Sequence, residues 1–156
     1  MAELKDRLRA DLTTAIKSRN STVVATLRMA LSAVATEEVA GSTARELTDD
    51  EVLAVLVREA KKRREAADAF AGAGRDELAA QERAEGEVLA GYLPAQVSDG
   101  ELAELVAEAV AEVAGLRGER PGPRQMGPVM KIATARVAGR AEGSRVAAAV
   151  RAALQN

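Results

Sequence analysis

Apolar residues recur at helical spacing along most of this chain. Leu4, Leu8, Leu12 and Ile16 fall every fourth residue, the stripe of an amphipathic helix over about residues 2–19. Asn20-Ser21 interrupts it, and Ser21 is placed to cap a second helix carrying Val24, Leu27, Leu31 and Val34 on one face, up to Gly41-Ser42. Thr48-Asp49-Asp50-Glu51 reads as a capping box, in which the hydroxyl accepts from the Glu51 amide while the Glu51 carboxylate reaches back to the Thr48 N–H. The two further acids in that first turn suit the helix dipole. Leu53, Leu56, Val57, Ala60, Ala67 and Phe70 form the apolar side of the long helix that follows, and Gly72-Ala73-Gly74 closes it. A fourth helix is expected from Asp76 to about Leu89, stopped by Tyr92-Leu93-Pro94 because proline disfavours helix in the residue before it.

A second capping box, Ser98-Asp99-Gly100-Glu101, opens a helix with Leu102, Leu105, Val106, Ala109, Val110 and Val113 on one face. Gly115 to Arg124 has no periodicity and reads as a loop. Pro128 suits the first turn of a helix with Val129, Met130, Ala133 and Val137. Gly139-Arg140-Ala141-Glu142-Gly143 is a tight connection, and Ser144 is expected to cap a last helix with Val146, Ala147, Val150 and Leu154. No segment alternates like a strand. The pattern predicts an all-α fold of about seven helices. It divides into a larger N-terminal helical subdomain, residues 1–95, and a small C-terminal three-helix subdomain, residues 98–156. Tyr92, just before the boundary, is expected to be a packing anchor between them.

Composition narrows the chemistry. Among 156 residues there is no Cys, no His and no Trp, with one Tyr and one Phe. Thiolate nucleophiles, Ser-His-Asp triads and most zinc sites are therefore excluded, and base stacking on Phe or Tyr cannot be a main binding mode. The N-terminus is charged from the start (Glu3, Lys5, Asp6, Arg7), and no apolar run approaches the ~18 residues of a membrane span, so a cytoplasmic protein away from membranes is expected. The net charge of −2 argues against nucleic acid as an average, but it is unevenly spread. From Gly115 to Asn156 there are 8 basic residues against 2 acidic ones, a net of +6.

Several segments in order resemble one family: Leu27-Arg28-Met29-Ala30-Leu31, Glu46-Leu47-Thr48-Asp49-Asp50-Glu51, Arg58-Glu59-Ala60-Lys61-Lys62-Arg63-Arg64-Glu65, Glu82-Arg83-Ala84-Glu85, Tyr92-Leu93-Pro94, Met126-Gly127-Pro128 and Gly139-Arg140-Ala141-Glu142-Gly143. Together they are similar to the GatB/YqeY family, specifically its stand-alone YqeY-type members, over essentially the whole chain. The resemblance implies kinship with the C-terminal tail of the B subunit of the glutamine-dependent aminoacyl-tRNA amidotransferase, a tail that helps hold tRNA. It also brings a family label of carbon–nitrogen ligase with glutamine as amido-N-donor. The chain departs from the family pattern at Gly86, where a branched apolar residue is expected, at Pro128, and at Glu142 and Ser144.

Charge asymmetry and resemblance together place a candidate RNA contact on Lys131, Arg136, Arg140, Ser144, Arg145 and Arg151, around the glycine-rich turn. The alternative is a packing corner whose glycines serve only the turn. A second basic face, Arg58, Lys61 and Lys62 with Arg63 and Arg64, could follow a phosphate backbone or be a solvated face with Glu59–Arg63 and Lys61–Glu65 pairs. Asp49, Asp50 and Glu51, or Glu82 and Glu85, are explained by a cap and a solvated face, so no catalytic residue, metal or cofactor is expected. The implied partners are tRNA or another structured RNA, and a tRNA-dependent amidotransferase or synthetase. A protein-interaction adaptor that binds no RNA is the alternative, and a true glutamine-dependent ligase a third reading.

Overall fold

A computed structural model describes residues 3–155; Ala2, at the expected start of the first helix, lies outside them. Among the described residues there are seven α-helices, one short 3-10 turn and no strand. The helices are α1 (Glu3–Lys17), α2 (Ser21–Glu38), α3 (Asp49–Gly72), α4 (Asp76–Ala90), α5 (Asp99–Arg117), α6 (Met126–Val137) and α7 (Gly143–Gln155); the 3-10 turn, Pro123–Gln125, leads into α6. The chain forms two compact units, one ending at Leu93 and one beginning at Pro94.

In the first unit Leu8, Leu27, Val34, Val52, Leu56 and Leu89 build the core, with Leu4, Leu12 and Leu31 half-buried against it. Ile16 departs from the expected stripe and is 48% exposed, while Ala15 is buried in its place. Residues four apart advance about 40° around a helix of 3.6 residues per turn, so by the fourth member the stripe has rotated away from the core. Asn20, not Ser21, caps α2, accepting from the Val23 N–H at 3.2 Å. The buried Thr26 hydroxyl is satisfied by the Thr22 carbonyl at 2.8 Å.

Thr48 caps α3 with both bonds of the box: the Glu51 N–H donates to its hydroxyl, and its own N–H donates to Glu51 Oε2 at 2.8 Å. Arg45 adds a two-pronged bond to the same carboxylate at 2.7 and 2.9 Å. Arg45 and the Thr48 N–H hold the Glu51 carboxyl down at a pKa of about 2. Gly74, at φ +74°, turns α3 into α4. A Cβ on Gly86 would meet the Cβ of Arg63 at 3.8 Å, an ordinary van der Waals contact, so the packing of α4 against α3 leaves room for a side-chain carbon there.

The second unit packs Leu102, Val106, Ala109 and Val113 of α5 against Val129, Ala133 and Val137 of α6 and Val146, Val150 and Leu154 of α7, with Val97 and Ala141 closing the cluster. Ser98 caps α5 through the Glu101 N–H at 3.1 Å. The expected box is only half formed, because the Glu101 carboxylate accepts from the Ser98 hydroxyl rather than from its N–H. Helix α5 continues past Gly115 to Arg117, ending where Gly118 adopts φ +79°. Ala138 at φ +51° and Gly139 at φ +79° end α6.

Candidate nucleic-acid interface

The glycine-rich turn between α6 and α7 is held mainly by its own arginines. Arg140 donates from Nε to the Val137 carbonyl, which also accepts from the Arg140 backbone N–H at 3.0 Å, and from Nη2 to the Arg136 carbonyl, both side-chain bonds being 3.1 Å long. The Arg140 carbonyl accepts from the Val97 N–H at 2.8 Å. Arg145 donates to the Val97 carbonyl at 3.0 Å and to Asp99 Oδ1 at 2.9 Å. The two arginines therefore tie both backbone groups of buried Val97, and with them the entry to α5, to the turn.

Arg136 is ion-paired twice, to Glu112 at 2.7 Å and Glu108 at 3.0 Å, and the Glu112 bond is the main cause of its raised pKa. Ser144 is exposed and is not the helix cap: α7 starts at Gly143, and the Val146 N–H donates to the Glu142 carbonyl at 3.0 Å. The cap is displaced because the turn ends at Glu142, one residue before Gly143 takes helical geometry. Lys131 and Arg151 are exposed, on α6 and α7 respectively. The six candidate residues thus separate into Arg140 and Arg145, bonded at the turn, Arg136, ion-paired to α5 while still exposed, and Lys131, Ser144 and Arg151, exposed on α6 and α7. Sequence reasoning missed three further cations, of which Arg117 pairs with Glu119 at 3.2 Å. Arg120 donates to the Ala153 carbonyl at 3.0 Å near the end of α7, and Arg124 is exposed in the 3-10 turn. Their signal was the run of arginines that precedes α6.

The basic face of α3 is interleaved with acid. Arg58 pairs with Glu37 at 3.4 Å, Lys61 with Glu65 at 3.9 Å and Lys62 with Glu59 at 3.1 Å. Arg63 lies 3.6 Å from Glu59, 3.7 Å from Glu82 and 3.5 Å from Glu85, and donates from Nη2 to Met29 Sδ. The Arg63 side chain is only 15% exposed, and its Nε and the Glu82 Oε2 are buried without a hydrogen-bond partner. Glu82 and Glu85 therefore surround a cation instead of forming a solvated face. Glu51 is occupied by the cap, and Asp49 accepts from the Leu4 N–H at 3.1 Å. Among the described residues no group of three or more acidic side chains is placed to hold a metal ion.

Tyr92 makes its polar contacts inside the first unit. Its hydroxyl donates to Asp11, and the Arg7 guanidinium sits 4.6 Å from the ring centroid. Burial, and then Asp11, push the phenol well above its ordinary pKa. Sequence reasoning also missed the nearly buried Lys5, whose ammonium bridges both oxygens of Glu38 at 2.8 and 2.9 Å. Glu38 in turn accepts from the Leu47 N–H, and these bonds lower its pKa. Nothing in the spacing of Lys5 and Glu38, 33 residues apart, signals that pair.

Both units are helical, and Arg63, Arg136, Arg140 and Arg145 are tied into bonds within them. Residues 5–154 match the family described as Yqey-like protein, and the chain belongs to that family. A relative from Pyrenophora tritici-repentis (strain Pt-1C-BFP), Altered inheritance of mitochondria protein 41, mitochondrial, is 34% identical over 143 residues, spanning 88% of this chain and 73% of the relative. Among the described residues no helix is long and apolar enough to cross a membrane.

Proposed function

We propose that this chain binds tRNA or another structured RNA through its C-terminal unit and positions it for a partner enzyme, without chemistry of its own. One observation carries the reading: the eight basic residues that face two acidic ones from Gly115 onward. Arg124, Lys131 and Arg151 remain exposed after the turn and α5 have taken Arg140, Arg145 and Arg136. Exposed cations on a helical frame suit contact with phosphates and with RNA shape, which carries little sequence preference. A tRNA-dependent amidotransferase or synthetase is the partner this reading implies, and the carbon–nitrogen ligase label then describes the assembly rather than this chain. Filter binding of bulk tRNA tests it with the paired substitution Lys131→Ala and Arg151→Ala. Binding should weaken alike for all tRNAs, and the salt slope should shrink by about one for each phosphate that is no longer neutralised. Unchanged binding by a folded double variant would refute this choice of surface.

A further inference from the structure

We infer that the trough bounded by α1, the start of α2 and the end of α4 is a binding site for a small aliphatic amine, held as its ammonium ion. The trough lies wholly in the first unit, so this site stands apart from the RNA reading. It holds about 420 Å³, room for a molecule of several heavy atoms. Arg7, Asp11 and Thr14 follow one another along a single face of α1, and Ser18 continues that row just past the helix end. Val23 of α2 and Val88 of α4 supply apolar lining, where a methylene stem can lie.

The hydrogen bonds already made decide which lining groups remain open. Both contacts of Asp11, the Tyr92 hydroxyl and Arg7 Nε at 3.9 Å, fall on Oδ2. Among the described residues nothing bonds to Asp11 Oδ1. The Thr14 hydroxyl donates to the Ala10 carbonyl and the Ser18 hydroxyl to the Ala15 carbonyl, both at 3.2 Å. A hydroxyl has one proton, so both oxygens are left with lone pairs only. Asp11, Thr14 and Ser18 stand one turn apart and form a row of acceptors about 10 Å long. The C-terminal end of α1, beside Ser18, adds partial negative charge. Such a row takes a ligand with several N–H donors, and a primary ammonium has three. A carboxylate or phosphate would meet only lone pairs there, beside the Asp11 charge. Arg7 is the one cation in the lining, at the end away from Ser18, and its guanidinium lies over the Tyr92 ring. It is exposed, and a pair with Asp11 as long as 3.9 Å contributes little. Lys17 and Arg19, near the end of α1, do not line the trough.

The test uses the full chain, labelled with ¹⁵N and followed by amide chemical shifts at neutral pH and constant ionic strength. The probes are n-butylammonium, butyrate, which reverses the charge, and tetramethylammonium, which keeps the charge but has no N–H. The first should shift the amides of Asp11, Thr14, Val23 and Val88 saturably in the millimolar range, and the other two should leave them in place. Asp11→Asn, which keeps an acceptor for the Tyr92 hydroxyl, should weaken n-butylammonium about threefold or more. Thr14→Val, at an exposed position, should weaken it about twofold. Both variants are checked for unchanged helicity. No saturable shift with n-butylammonium, equal shifts with butyrate or tetramethylammonium, or unchanged affinity in either folded variant would each overturn the inference. The Lys131 and Arg151 variants should bind the amine like the parent, so the two proposals fail separately.

Discussion

Arg145→Ala separates a structural arginine from an RNA-binding one. In the folded chain one Arg145 nitrogen serves two acceptors, the carbonyl of Val97 and the carboxylate of Asp99. Val97 is 5% exposed, so its carbonyl has little access to water as a substitute. Leaving such an acceptor without its charged donor costs about 1–3 kcal/mol. The Asp99 side chain is 98% exposed, so that pair adds at most a few tenths of a kcal/mol to about 1 kcal/mol. The total is about 2 kcal/mol. A chain of this length loses roughly 2–4 °C per kcal/mol, and a unit of ~60 residues melting alone roughly 4–8 °C. The melting temperature should therefore fall by about 4–8 °C if the chain unfolds as one, and by about twice that if the second unit melts separately. Circular dichroism or calorimetry on the full chain measures this. Well below the transition, tRNA binding by the folded variant should stay close to that of the parent. An unchanged melting temperature together with lost tRNA binding would refute the assignment and return Arg145 to the contact surface.

Three further outcomes follow from other parts of the structure. The folded Glu51 carboxyl is depressed from 4.5 to about 2, so its contribution is present above the unfolded value and is lost as pH falls from about 4.5 toward about 2. Glu51→Gln should be less stable than the parent above that window in urea unfolding, with the gap closing as acid is added; a gap independent of pH would contradict the cap. Arg63→Ala removes the guanidinium that sits among Glu59, Glu82 and Glu85 and should cost about 3 kcal/mol, measured by urea denaturation, because three largely buried carboxylates then face one another. Ala138→Gly relieves a non-glycine residue at φ +51° and should raise the melting temperature by the equivalent of about 1 kcal/mol, whereas a fall would show that the methyl group packs usefully.

Helix positions were legible because burial repeats at the helical period and caps are local. The Thr48 box spans four residues, and Leu27, Leu56, Val106 and Val150 were each placed on an apolar face that is buried. Errors fell where the signal was a choice among adjacent residues, as between Asn20 and Ser21, or a stripe drawn too straight, as at Ile16. The candidate site was legible as charge but not as geometry. Sequence shows that Arg140 and Arg145 are basic; it does not show that carbonyls of Arg136, Val137 and Val97 lie within reach of them. Val97 and Arg145 are 48 residues apart, a pairing that only the packing of α5 against α7 creates. The same holds for Arg63, whose carboxylate shell comes from both α3 and α4, and for Lys5, whose glutamate partner arrives from the far end of α2.

The most direct test of the central claim is retention of bulk tRNA by the purified full chain across a salt series. With Arg124, Lys131 and Arg151 as the exposed contacts, the account predicts retention at low salt and a logarithmic slope of about −2 to −3, near −0.9 for each phosphate neutralised. Absence of retention at the lowest salt, or retention that does not respond to salt, would contradict it.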